Sequence, residues 1–179
     1  MHFAQHNEFV GAYGEYSILH PLGYGTILKK IKGGAPVRSA VEQYTIHKLA
    51  NGFESILLKI PKAYDLVSKD SYTMEHIITG GTYIPSKDYK YFPSLITELN
   101  KFYGYMISQS YFPYKFTILY CPNNTFLLLD FSLFGSFSKG MVKFKHIRSP
   151  INIMMAEHTY GLLSFLIVDE KIEEYAVEF

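Results

Sequence analysis

The sequence predicts an α+β chain, and three observations carry that reading. Between residues 17 and 78, short aliphatic and aromatic runs recur between glycine, proline and asparagine breaks, with one helical stretch among them. From residue 93 a second helical stretch carries its apolar residues at a helical spacing. After it, the apolar runs 116–120 and 126–130 flank the turn residues Pro122, Asn123 and Asn124, which reads as a hairpin.

Each element follows in order. Residues 8–10 and 17–20 are strands around a turn holding Gly11 and Gly14. Gly23-Tyr24-Gly25 is a second turn, and residues 26–31 form the next strand. Gly33 to Pro36 break the chain before a helix over 37–50, with Val37, Ala40, Val41 and Tyr44 on one face. Asn51-Gly52 ends that helix. The apolar run 56–58, the segment 63–67 and a strand over 71–78 follow, and Gly80-Gly81 closes the first half. The helix over 93–108 buries Leu95, Leu99, Phe102, Tyr103 and Met106. Residues 139–148 are irregular or extended. Ser149 as N-cap and Pro150 at the first helical position then start a helix with Ile151, Met154, Met155, His158, Leu162 and Phe165 on its apolar face. An acidic tail covers 169–179.

Composition narrows the function classes. A length of 179 residues fits one domain, 48% hydrophobic residues can build a core, and 18% charged is low for a disordered chain. The net charge of +1 gives no global field for nucleic acid or membrane. The 16 Tyr and 14 Phe read as an aromatic core. Cys121, the single cysteine, cannot form an intrachain disulfide and reads as a small buried hydrophobe. The start of the chain lacks a basic, then apolar, leader, and the apolar run 162–168 is too short to span a bilayer. A cytoplasmic protein is the expectation.

The order of elements, strands, helix, strands, glycine break, helix, hairpin, then Asp130-Phe131-Ser132, resembles the protein kinase and aminoglycoside phosphotransferase superfamily. The local matches are Ile60-Pro61-Lys62-Ala63-Tyr64-Asp65 with Ser71 to Ile77, similar to the strands entering the hinge, and Asn123 to Ser132, similar to the strand entering the DFG triplet. The resemblance implies a two-lobed protein-kinase-like fold, with a small antiparallel-sheet lobe plus one helix over about 1–78 and a truncated helical lobe over about 82–179. It implies that Gly11 and Gly14 line a phosphate loop, that Lys29 (with Lys30 the neighbouring register) meets phosphate, and that Glu42 is the helix partner of that lysine. By the same resemblance, Glu75 and Ile77 present the hinge backbone to an adenine, Met74 is the gatekeeper, and Asp130 is the magnesium ligand. ATP and magnesium are the implied cofactors.

A kinase also needs a catalytic-loop aspartate and, a few residues on, an asparagine. Phe112 and Thr117 stand at those places, and residues 108–116 hold no Asp, Glu or His. No catalytic residue is therefore assigned. The expectation is a pseudokinase-like binding or regulatory module with weak nucleotide binding. An active phosphotransferase with a rearranged site, and a structural or assembly protein keeping only the fold, are the alternatives. The distal helices of the large lobe are missing, so a protein partner or a homo-oligomer is expected. Lys139, Lys143, Lys145 and Arg148, interleaved with Val142, Phe144 and Ile147, could dock an acidic partner, while nucleic acid and membrane are not expected. The seven histidines show no metal-ligand spacing.

Overall fold

Strand β2 (Thr26–Ile31) sets the frame of the first sheet. Its side chains alternate, so Ile27, Lys29 and Ile31 share the buried face while Lys30 is exposed. The computed structural model describes residues 16–35, 37–137 and 176–177. β1 (Ser17–Gly23) pairs antiparallel with β2 across Gly23-Tyr24-Gly25, whose φ angles of +84°, +51° and +70° explain the two glycines. β4 (Ala63–Ser68) and β5 (Ser71–Glu75) complete an antiparallel sheet in the order β1-β2-β5-β4.

Helix α1 (Ala40–Ala50) starts three residues later than its periodicity predicts. A capping box fixes the start: the Ser39 hydroxyl accepts from the Glu42 amide at 3.3 Å, and the Glu42 carboxylate accepts from the Ser39 amide at 3.1 Å. Asn51 closes the far end. Its side chain donates to the Pro61 carbonyl and accepts from the Ala63 amide, each at 2.8 Å, tying the helix to β4. The face it buries is Ala40, Gln43, Ile46, His47 and Ala50, whereas Val41 is 42% exposed. The apolar face expected from the sequence is therefore turned, with Val37 and Tyr44 only partly buried against Ile31, Ala40 and Tyr72.

The second sheet has the order β3-β8-β7-β6, with β9 also on β8. β3 (Leu58–Lys59) runs parallel to β8 (Phe126–Phe137), and Leu58 pairs with Phe126. β6 (Thr82–Tyr83) lies antiparallel to β7 (Tyr111–Tyr120), and β9 (Ala176–Val177) pairs antiparallel with the end of β8. Leu119, Cys121, Leu127 and Leu129 form a buried cluster at the hairpin, flanked by Ile77 and Tyr83, so Cys121 is a core residue as its type predicts. β7 and β8 both extend beyond the expected hairpin. Residues 111–115, expected as a connection, are strand, and Phe112 and Thr117 lie within β7.

A 3₁₀ turn (Ser86–Tyr91) leads into α2 (Pro93–Ser108), whose limits match the predicted helix. Leu95, Leu99, Phe102, Tyr103 and Met106 are all buried, as their spacing demands. The described residues fall into two compact units: one runs to Ile84 and takes in Phe116–Leu133, and the other comprises Pro85–Lys115 and the chain from Phe134. The chain is α+β, with two sheets and two α-helices among the described residues. No helix among them is long and apolar enough to cross a membrane.

Candidate functional site

The buried face of β2 places one charged side chain inside the first unit. Lys29 is only 5% exposed. It lies opposite Tyr72 on β5, with its ammonium 6.0 Å from the centre of that ring. A buried ammonium requires a counter-charge, and Asp130 supplies it: Lys29 Nζ stands 3.6 Å from Asp130 Oδ1.

Asp130 is built to face this way. Its φ of +76° within β8 is a left-handed conformation, which aspartate tolerates better than most residues. The same Oδ1 accepts from the Ser132 amide at 3.0 Å. Burial acts to raise the Asp130 carboxyl, but Lys29 and Ser132 outweigh it and hold it below the ordinary carboxylate range. Its side chain is nevertheless 39% exposed, so the carboxylate is the accessible member of the pair.

The next residue locks this strand to α1. Phe131 stacks on His47, with ring centroids 4.3 Å apart. His47 Nε2 lies 2.6 Å from the Pro61 carbonyl and Nδ1 3.2 Å from the Tyr72 hydroxyl. A carbonyl can only accept, so Nε2 carries the proton and Nδ1 accepts from Tyr72. Burial drives the His47 pKa down to about 3; the Pro61 carbonyl opposes this, while the Lys29 and Lys48 charges add to it. Burial, with the Asp130 charge second, raises the Tyr72 phenol. Both rings are neutral at physiological pH.

Arg38 completes the surroundings through its backbone. Its amide donates to the Ser132 carbonyl at 3.2 Å, and its carbonyl accepts from Gln43 Nε2 at 2.7 Å. Gln43 is fully buried, yet its Oε1 meets no donor, and the buried Ser132 Oγ likewise has no partner. Two unsatisfied groups flanking one backbone stretch mark a place of incomplete polar packing.

The structure pairs Lys29 with Asp130, where the resemblance implies Glu42 as the partner of Lys29. Glu42 is not the partner of Lys29. Its carboxylate is held on the exposed side of α1 by Arg38 Nη1 at 2.9 Å and by Ser39. The physical reason is the capping box, which requires Glu42 in the first turn to reach back to the N-cap. The buried position belongs to its neighbour Gln43. Glu75 ends β5, and its carboxylate accepts from the Lys62 amide at 3.0 Å. Ile77 packs on the Leu119–Cys121 cluster, and Met74 on the Ile31–Ala40–Tyr72 cluster. Gly11, Gly14, Lys139, Lys143, Lys145 and Arg148, with the helix expected after Ser149, lie outside the described residues.

Sequence reasoning did not single out Tyr72, His47, Gln43 or Ser132. The spacing of Gln43 and His47, four apart on α1, would have placed them on one face, but their polarity argued against burial.

The fit of the implied cofactors can be judged from these groups. Magnesium is bound through one or two carboxylates together with phosphate oxygens. Asp130 is the carboxylate that meets Lys29 among the described residues, and its Oδ1 serves Lys29 and the Ser132 amide. Among the described residues no group of three His, Cys, Asp or Glu side chains gathers to hold a metal ion. Asp130 would be the residue to hold a magnesium ion here, with phosphate oxygens of a bound ligand completing the donor set. Compared with protein-family models, curated proteins and solved structures, the chain gives no match.

Proposed function

We propose that the chain is a kinase-like binding module without phosphotransfer activity, which takes a nucleotide weakly at the Lys29–Asp130 pair and acts by engaging a protein partner. One observation carries this reading. A lysine on the central strand β2 meets an aspartate of left-handed conformation within β8, and the phenylalanine after that aspartate is stacked on a helix that packs on the same sheet. Lysine on a strand, an Asp-Phe pair and one helix are parts that position phosphates in the kinase superfamily, although Asp130 and Phe131 here lie within β8 and not at its end. The inactive half of the reading rests on β7. Its N-terminal stretch offers aromatic residues, Pro113 and Lys115, and no side chain able to take a proton from a substrate hydroxyl at neutral pH.

Calorimetric titration with ATP tests the binding half, using wild type and Lys29→Met. Wild type binds in the high-micromolar range or weaker, and Lys29→Met loses that binding. Equal binding by both proteins removes Lys29 from the site. A radiolabelled ATP turnover assay tests the inactive half. Turnover abolished by Asp130→Ala overturns it.

A further inference from the structure

We propose that Asn51-Gly52 is a spontaneous modification site: the native end of α1 holds off conversion of Asn51 to aspartate or isoaspartate, and local opening of that end permits it.

The dipeptide sets the chemistry. Glycine brings no side chain to hinder approach of its amide nitrogen to the preceding side-chain amide carbon. The Gly52 nitrogen gives up its proton and bonds to Asn51 Cγ, the Cγ–Nδ2 bond breaks, and ammonia leaves. Water then opens the five-membered imide. Opening at Cγ gives aspartate, and opening at the Asn51 backbone carbonyl gives isoaspartate. Water is the only co-reactant, and it reaches the pair, since Gly52 is exposed and Asn51 half-buried.

The fold opposes the first step at each atom the step uses. The Gly52 amide donates to the Leu49 carbonyl at 3.0 Å, so the nucleophile is tied back into the last turn of α1. Asn51 keeps a helical backbone, with φ −65° and ψ −14°, and its own amide donates to the His47 carbonyl at 2.9 Å. Closing the imide ring requires that this conformation be given up. The leaving nitrogen donates to the Pro61 carbonyl and Oδ1 accepts from the Ala63 amide, each at 2.8 Å, so the side-chain amide is held at both ends. Fraying of one helical turn releases all of these bonds, an opening that needs no global unfolding.

The product cannot rebuild the link. A carboxylate has no proton to give the Pro61 carbonyl, and it sets a negative charge at a helix C-terminus. The same carbonyl lies 2.6 Å from His47 Nε2. Modification therefore takes one of two donors from the oxygen that holds the His47 ring beside Phe131. Isoaspartate also lengthens the main chain by one carbon at the end of α1.

The experiment follows Asn51 by peptide mass mapping of the full chain at neutral pH, over a series of guanidinium chloride concentrations. The unfolded chain is expected to convert at least about tenfold faster than the folded one. Below the unfolding transition the rate is expected to stay flat, the sign of a local opening. Equal rates in the two states, or no conversion of the unfolded chain, overturn the proposal. A folded-state rate that climbs with the full denaturant dependence of global unfolding overturns the local opening. Gly52→Ala is expected to slow conversion of the unfolded chain, and an unchanged rate overturns the imide route. Asn51→Asp reproduces one product and is expected to lower Tm by about 2–6 °C. An unchanged Tm overturns the consequence for the link to β4. The wild-type rates decide the proposal even where Asn51→Asp fails to fold.

Discussion

The imidazole of His47 lies flat against the ring of Phe131, with planes only 20° apart, while both of its nitrogens are occupied by Tyr72 and Pro61. One side chain therefore joins α1 to β8 by stacking, to β5 by a phenol and to the β3–β4 connection by a carbonyl. Its protonation would forfeit the bond accepted from Tyr72 and bury a cation beside Lys29, while the Pro61 carbonyl would still accept from Nε2.

That arrangement fixes a pH dependence. The folded-state pKa is about 3, against an ordinary value of 6.5. Below pH 6.5 the unfolded chain gains a proton that the folded chain refuses until about pH 3. The stability linked to His47 is thus whole above pH 6.5 and falls by about 1.4 kcal/mol per pH unit as the solution is acidified. His47→Phe keeps a ring on Phe131 but leaves the Tyr72 hydroxyl unsatisfied, at a cost of about 1–3 kcal/mol at neutral pH. Urea unfolding at a series of pH values should show the gap between wild type and variant closing below pH 6.5 and reversing by about pH 4. A gap independent of pH would mean that His47 is not held neutral.

Asp130 should matter through both its charge and its backbone. Breaking a buried pair costs about 3–5 kcal/mol, and the partial exposure of this carboxylate reduces the expected loss for Asp130→Asn to about 1–2 kcal/mol. Asn tolerates the left-handed conformation, whereas a β-branched residue does not, so Asp130→Val should lose a further 1–3 kcal/mol or so. Lys29→Met removes the stranded cation. The double variant Lys29→Met/Asp130→Asn should then lose less stability than the two single losses added together. Chemical denaturation of the four proteins measures this, and strict additivity would dissolve the pair.

The capping box separates Glu42 from the site experimentally. Ser39→Ala should destabilise the fold by about 1 kcal/mol. Glu42→Ala should cost a similar or smaller amount, and it should leave ATP affinity unchanged. A large loss of ATP binding in Glu42→Ala would restore Glu42 as a partner of Lys29.

Gly81 and Gly104 make an internal comparison. A β-carbon at Gly81 would lie 3.0 Å from Thr79 Oγ1, 3.2 Å from Leu119 Cβ and 3.3 Å from the Tyr120 carbonyl. Gly81→Ala should therefore destabilise by about 1–3 kcal/mol. Gly104 sits inside α2 with nothing within 4 Å of such an atom, so Gly104→Ala should stabilise by about 0.5–1 kcal/mol. Thermal unfolding should move in opposite directions for the two.

Much of the fold was legible where polarity and periodicity agree. Strand β2 alternates cleanly, and α2 carries five apolar residues on one side, so both were placed with their observed limits. Helix α1 was placed but turned, because the residues it buries include Gln43 and His47 while Val41 faces outward. Hydrophobic patterning cannot anticipate a polar side chain whose burial is made possible by a tyrosine on a distant strand and a proline carbonyl in a distant connection. Glu42 was named as the helix partner of Lys29 by the kinase resemblance, yet the capping geometry that draws its carboxylate to Ser39 is local and could have been read from Ser39 three residues earlier. Lys29 and Asp130 were named through the kinase resemblance, as its strand lysine and its DFG-like aspartate. The extension of β7 back to Tyr111 was hidden by Pro113, a residue that argues against strand.

The parallel pairing of β3 with β8 has a consequence for synthesis on the ribosome. Leu58 emerges early, and its strand partner Phe126 emerges only after α2 has been made. The first sheet can close from local hairpins as it leaves the tunnel, but β3 must wait with an unpaired edge. The Lys29–Asp130 pair waits too, since Asp130 follows on the same late strand. Nascent chains stalled before residue 126 should therefore hold Lys29 without its counter-charge, at the stage when the growing polypeptide is most open to capture by chaperones.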